Sequence, residues 1–484
     1  MNWMSLLQIP YFVFTFLVIV KVLYDTRSST KALAYILFIV FLPILGTLFY
    51  FSFGINYRKR KLYTRKLIID EHQGRQIRKK LTAYSDAIIN SGLIADKHKT
   101  LASYVRYSSN SPLTANNEVK LLINGEQKFP ELLQALEKAK SHIHLEYYIY
   151  ENDFTGNQIA DMLIKKAQEG VEVRFMYDDF GSNGLGKTFI RRLQEGGVRT
   201  APFYKIKWYA FASRINYRNH RKIIIIDGLV SFVGGINMSD RYRNDLEVKN
   251  HLYWRDTHLM INGQASAYLQ HLFVSDWNFC SSQKLAFSDI YFPDISQIDS
   301  IENDIVQTVA SGPDSKQPVI FYSLLAAISS AKKSIYITSP YFVPGESLMD
   351  ALIIAIQSGL DVKVLIPGVS DSKMVNTAAS AYYTELLQYG AQIYMYDKGF
   401  VHAKTMVFDN ELAIIGSANI DYRSFDLNFE VNAMVYSQKI AAQLTAIFEQ
   451  DLKSAVQIDK ESWLNRPKYI HLWEKVVKLL SPFM

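Results

Sequence analysis

One short pattern occurs twice in this chain and constrains its fold more than any other feature. The first copy is His220-Arg221-Lys222, then Ile223 to Ile226, Asp227, Gly234-Gly235 and Asn237. The second is His402-Ala403-Lys404, then Thr405 to Phe408, Asp409, Gly416-Ser417 and Asn419. In both copies Lys falls 2 residues after His, Asp 7 after, the first Gly 14 after and Asn 17 after. Chance can supply one such spacing, but not two in register. Each copy then runs on to an acid in similar surroundings, Asp256 in the first and Glu430 in the second. The chain is an internal duplication, so its fold must present two equivalent half-sites.

The surroundings repeat as well. Strand-like segments at 119–123, 142–150 and 171–177 alternate with helical patterns at 129–139 and 158–168. From about residue 305 the order recurs, with helical 318–331, a strand at 334–338, helical 348–357 and a strand at 361–366. Ala139-Lys140-Ser141 corresponds to Lys332-Lys333-Ser334, and Gly170-Val171 to Gly359-Leu360. Strands alternating with helices of this length predict βαβ units. The expectation is an α/β protein of two duplicated domains, residues 118–300 and 301–484. Residues 220–227 and 402–409 read as strands, on which His and Lys two apart share a face. The glycines and Asn lie one strand later, where small residues expose backbone N–H groups to a phosphate.

The front of the chain differs. Met1 to Val20 and Ala32 to Tyr57 carry no charge. Each run is long enough to cross ~30 Å of hydrocarbon as a helix, so residues 1–57 are expected to form a two-helix transmembrane anchor. Arg58, Lys59, Arg60, Lys61, Arg65 and Lys66 follow at once. The positive-inside rule places that flank and all that follows in the cytoplasm, and the charges suit an anionic membrane surface. Residues 58–117 read as this basic flank and a polar, partly helical connector without chemistry of its own. Cys280 is the single cysteine, which excludes a disulfide framework and a cysteine-based zinc site. The net charge of +7 is modest. With no basic-aromatic strip beside it, no nucleic-acid partner is expected.

A His with a Lys beside it makes a nucleophile or an acid–base group next to a fixed positive charge. Asn adds a neutral donor. Together they suit a tetrahedral oxyanion, above all a phosphate. An acid in the later strand can accept the Nδ1–H of a histidine and turn Nε2 to the substrate. Two copies face to face supply one histidine to attack phosphorus and one to protonate the leaving oxygen. The lysines would repel a metal ion, and no cofactor is expected. Asp178-Asp179, the one paired-carboxylate stretch that could hold one, reads as a strand-end loop.

The doubled His-x-Lys-x4-Asp pattern resembles the phospholipase D superfamily. The apolar front, the run Trp254-Arg255-Asp256-Thr257-His258, the segment from Gly416-Ser417-Ala418-Asn419 to Glu430 and the ending Leu480-Ser481-Pro482 are similar to its bacterial cardiolipin synthases. The resemblance implies a membrane-bound enzyme that makes cardiolipin and glycerol from two phosphatidylglycerols through a phosphohistidine, without a metal. It implies His220 as the nucleophile and His402 as acid, then base, though the two roles can be exchanged without altering the sequence reading. Lys222, Lys404, Asn237 and Asn419 would hold the phosphoryl oxygens, and Asp256 and Glu430 would orient the histidines. Gly235 and Ser417 belong to the same phosphate-side turn. Asp227 and Asp409 complete the motif as supports of the structure more than participants in the chemistry. Hydrolysis by water, a nuclease activity and a non-catalytic lipid-binding scaffold are the competing readings. The anchor opposes the nuclease, and two complete motifs oppose the scaffold. At the end of the chain, residues 469–480 form an amphipathic pattern, open to two readings: a surface helix on its own domain, or one lying on a bilayer.

Overall fold

The structure, a computed structural model, describes residues 3–26, 29–51, 75–203, 217–246, 252–293 and 302–481. The expected basic cluster at 58–66 lies outside the described residues.

The first half contributes β1 (Leu113–Ile123), β2 (His142–Tyr147), β3 (Glu172–Asp178) and β4 (Arg199–Phe203), then β5 (Lys222–Ile226), β6 (Val230–Gly234), β7 (Trp254–Arg255) and β8 (Thr257–Gly263). The second half contributes β9 (Asp304–Ser311), β10 (Ser334–Thr338), β11 (Asp361–Pro367) and β12 (Gln392–Tyr396). It continues with β13 (Phe400–Val401), β14 (Thr405–Phe408), β15 (Leu412–Gly416), β16 (Glu430–Tyr436) and β17 (Ala455–Gln457). Fifteen of these strands form one sheet, in the order β17-β12-β11-β10-β14-β15-β16-β9-β1-β8-β6-β5-β2-β3-β4. Read outward from the β9–β1 junction, the two halves repeat strand for strand, β17 being an addition to the second. The β2-β3-β4 and β10-β11-β12 runs are parallel, and the strands between are antiparallel. The sequence suggests two duplicated domains; the β1–β9 pairing joins their strands into one sheet.

The sheet is covered on both faces, which explains its near-continuous apolar strands. In β5, Ile223 and Ile225 point into one core and Ile224 and Ile226 into the other, as the two-residue strand period requires. One core is shared between the halves, under the helices Ser266–Cys280 and Gln438–Leu452. It contains both Ile225 of β5 and Val407 of β14. On the opposite face each half has its own core. That of the second half also takes Ile88, Leu101 and Val105 from the connector helices Arg75–Asn90 and Asp96–Ser109. These two connector helices are thus part of the second half's core.

The first apolar run forms a helix of 23 residues, Trp3–Asp25. The second, expected as one span, is divided at Leu42 into Ser29–Phe41 and Pro43–Phe49, because Pro43 cannot continue the hydrogen-bond ladder of the helix before it. Val18, Val22, Ile39 and Tyr50 form a small core between these helices, while Phe12, Phe16, Phe41 and Ile44 point outward and are exposed. The described side chains of the first helix begin at Pro10. Among the described residues no helix is long and apolar enough to cross a membrane. The transmembrane anchor read from the sequence is therefore not established here.

Candidate active site

The strands of the two motifs begin slightly later than the sequence suggests, at Lys222 and Thr405, so each histidine sits in the lead-in to its strand. These lead-ins cross to the other half. His220 N–H donates to the carbonyl of Phe429 (2.9 Å), with Asn219 bridged to Phe429 as a short parallel pair. His402 N–H donates to the carbonyl of Arg255 (2.7 Å), continuing the parallel pairing of β13 with β7. Phe429 and Arg255 each precede the acid of the opposite copy. The acids are therefore exchanged. His220 Nδ1 lies 2.9 and 3.0 Å from the two oxygens of Glu430, and His402 Nδ1 lies 2.7 Å from Asp256 Oδ2.

Both acids are completely buried and held in place. Ser417 Oγ–H donates to Glu430 at 2.5 Å, and Asn428 Nδ2 donates to it at 3.2 Å. Asp256 accepts the N–H of Thr257 at 2.7 Å. Gly235 stands where the second copy has Ser417; a Cβ there would lie 2.1 Å from Asp256 Oδ1. The glycine exists to make room for the shorter acid. This corrects the reading of the glycine turn as a phosphate cradle, since Gly235 N–H is bonded to Thr257 and Ser417 N–H to Val431 within the sheet.

The lysines lie just beneath the histidines. Lys222 Nζ donates to the carbonyl of His220 (2.7 Å). Lys404 Nζ reaches both the carbonyl (2.5 Å) and Nδ1 (2.8 Å) of His402. Burial pulls the Lys222 ammonium down to about 7, with Lys404 adding to the fall and Glu430 opposing it. Burial likewise lowers Lys404 to about 8 against the pull of Asp256 and Glu430. Burial lowers His220 below its ordinary value, Glu430 opposing and Lys222 assisting, and takes His402 to about 3 with the help of Lys404. For both acids burial alone would raise the value, but it is outweighed: Asp256 is lowered by Lys404 and His402, Glu430 by His220 and Lys222. The site thus has two ionised acids, two histidines poised neutral and two buried lysines whose protons are held only weakly near neutral pH. An anion would satisfy it.

His220, His402, Asn237 and Asn419 line a single cleft of about 470 Å³. Asn237 is oriented by Tyr242, its Nδ2 donating to the phenolic oxygen at 2.6 Å. Asn419 Oδ1 is buried without a hydrogen-bond partner. The cleft also takes in Arg218, Arg241 and Arg423, three cations that sequence reasoning missed because none recurs at the motif spacing. Tyr148 packs edge-on to His220 and Trp254 lies against His402, with ring centres 4.7 and 5.3 Å apart. Asp227 and Asp409 stay away from the cleft. Both adopt left-handed backbone, φ 53° and 55°, and each accepts three successive backbone N–H groups, Lys140 to His142 and Lys332 to Ser334. Lys97 of the connector adds an ion pair to Asp409 at 2.5 Å. Asp178 ends β3, its carboxylate taken up by the N–H groups of Phe180, Gly181 and Asn219.

The family described as cardiolipin synthase, PLD-like domain, matches residues 132–277 and 324–452, which contain both motifs. The chain belongs to that family. It is a family of phosphatidyltransferases, and this chain has the duplicated phospholipase D-like fold. A second family, the phospholipase D-nuclease N-terminal segment, matches residues 13–54. The chain is 42% identical over 460 residues to a cardiolipin synthase of Geobacillus sp. (strain WCH70), covering 95% of this chain and 90% of the relative. It is 40% identical to the major cardiolipin synthase ClsA of Bacillus subtilis (strain 168), over the full length of both. The crystal structure of phosphatidylserine synthase from Haemophilus influenzae Rd KW20 shares the fold, with TM-score 0.59 at 14% identity, over 79% of this chain and 99% of that one.

Proposed function

We propose that this member of the family is a cardiolipin synthase, which moves the phosphatidyl group of one phosphatidylglycerol onto a hydroxyl of another. The observation that carries the reading is the pair of histidines lining one cleft, each with Nδ1 on a buried carboxylate, so that both Nε2 atoms are left for substrate. His220 Nε2 attacks phosphorus and the bond to the head-group glycerol oxygen breaks, that oxygen taking a proton from Nε2 of His402. The glycerol hydroxyl of a second phosphatidylglycerol then gives its proton to His402 and attacks the phosphohistidine. The P–N bond breaks, the electron pair returns to His220, and cardiolipin leaves. Lys222, Lys404, Asn237 and Asn419 stabilise the charge on the non-bridging oxygens.

One difference between the half-sites supports this order of roles. His220 Nδ1 faces only Glu430, which keeps the proton on Nδ1 and a lone pair on Nε2, as a nucleophile needs. Lys404 Nζ lies 2.8 Å from His402 Nδ1, and burial together with this cation lowers the pKa of His402, so its imidazolium, once formed against Asp256, gives up the Nε2 proton readily, as an acid needs. A bound phosphodiester anion raises the pKa of His402 in the direction the acid role requires. The exposed apolar side chains of the first three helices fit a two-helix membrane anchor, with the catalytic part on the cytoplasmic face of a bacterial cell membrane.

The test uses phosphatidylglycerol labelled in head group and acyl chains, in mixed micelles with EDTA, with His220→Ala and His402→Ala alongside. Equal release of cardiolipin and glycerol, lost in both variants, is expected. Phosphatidic acid as the main product would replace transfer with hydrolysis. Lipid binding without turnover would reduce the protein to a scaffold.

A further inference from the structure

The helix Lys468–Lys478 near the end of the chain has an apolar stripe that none of the described residues covers. Tyr469, Leu472, Trp473 and Val476 follow the three-and-four spacing of one helical face, and Leu479 and Leu480 extend it. Leu472 is 65%, Trp473 61% and Leu479 75% exposed. The opposite face holds the helix to the protein. Val477 packs on Ala378 and Val375 of the helix Lys373–Tyr389, and Lys478 reaches Glu385. The single acid of the helix, Glu474, is on that inner face, 4% exposed and paired with both terminal nitrogens of Arg466 at 2.9 and 3.0 Å. What remains outside is apolar and positive, with Lys468 and Lys475 exposed along the border of the stripe.

We propose that this helix lies in the surface of an anionic bilayer and holds the mouth of the cleft at the lipid. Val375 joins the two: it packs against Val477 and also lines the cleft, next to the exposed Met374. Lipid entering the cleft from a bilayer under the helix therefore has a short apolar path. A second copy of the chain is a poorer occupant. A two-fold contact along this stripe would bring together two faces edged by charge of the same sign, whereas anionic head groups neutralise it. An apolar stripe edged by lysines, with its only acid turned inward, is the composition of an interfacial helix.

The inference rests on the reading of the substrate as a membrane lipid, and its test separates the two. Full-length protein is placed in phosphatidylglycerol vesicles with brominated acyl chains, and the emission of Trp473 is isolated as the difference between wild type and Trp473→Phe. That emission should fall by about twofold or more on brominated lipid and become inaccessible to aqueous iodide. Equal iodide quenching with and without vesicles, or protection from both quenchers, would overturn the proposal. In the Leu472→Ser/Leu479→Ser variant, turnover on vesicles should drop by about tenfold while turnover in detergent micelles is retained; vesicle turnover equal to wild type would also overturn it. Because quenching needs no turnover, a wild type that fails to transfer phosphatidyl groups in micelles sinks the function and leaves the docking result standing.

Discussion

Exchange of the acids makes a prediction that an uncrossed duplication does not. Glu430, in the second copy, should control the chemistry of His220, in the first. Glu430→Gln keeps size and shape while removing the charge 2.9 and 3.0 Å from Nδ1. A hydrogen bond to a charged group contributes about 1.5–3 kcal/mol, which corresponds to about 10- to 150-fold in rate. An error in tautomer would add to that loss. The assay is single-turnover release of p-nitrophenol from phosphatidyl-p-nitrophenol, a leaving group that departs without help from His402, followed by mapping of the phosphorylated histidine. The label should fall on His220. Its rate of formation should drop by about 10²-fold in Glu430→Gln and by no more than about threefold in Asp256→Asn. Both variants should be slow on phosphatidylglycerol, which needs both histidines. A label on His220 whose formation responds to Asp256 and not to Glu430 would refute the exchanged pairing. A label on His402 would refute the assignment of roles.

Other outcomes follow from the same geometry. On phosphatidyl-p-nitrophenol, which needs no proton from His402, the kcat/KM profile should have its acid limb below the ordinary histidine range, because His220 is lowered and must be neutral to attack, and its alkaline limb at about 7 to 8, where Lys222 and Lys404 lose their protons. In the kcat profile the alkaline limb should move to higher pH, since bound phosphate favours the charged lysines; a limb at the same pH in both would show that the lysines do not face the anion. Gly235→Ser, which gives copy one the residue of copy two, should abolish turnover because its Cβ meets Asp256, whereas Ser417→Gly should cost only about tenfold through a loosened Glu430; steady-state rates of the folded variants check the inequality. Asp227→Ala should lower thermal stability by about 1–3 kcal/mol, from the loss of a carboxylate that accepts three N–H groups and from a left-handed backbone. Its residual folded fraction should keep near-normal kcat, and a normal melting temperature with lost kcat would instead place Asp227 in the chemistry.

Much of this was legible in the chain alone because it depends on local spacing. The two-residue step from His to Lys and the seven-residue step to Asp recur at the same offsets in both halves. The doubled motif, the α/β class and a phosphate-binding chemistry all follow from such short-range rules, as does the apolar stripe of the last helix. Three things waited for tertiary structure. The two halves share one sheet because β1 and β9 are both edge strands of their half and pair across the duplication, a long-range choice with no local signature. Asp256 and Glu430 serve the opposite histidines because the lead-in of each motif pairs with the backbone just before the other acid. Nothing in the 36- and 28-residue separations of each acid from its own histidine marks that exchange. The glycine in one copy and the serine in the other read alike from the sequence, as parts of one phosphate-side turn. Packed against acids of different length, they are what lets each carboxylate reach its partner.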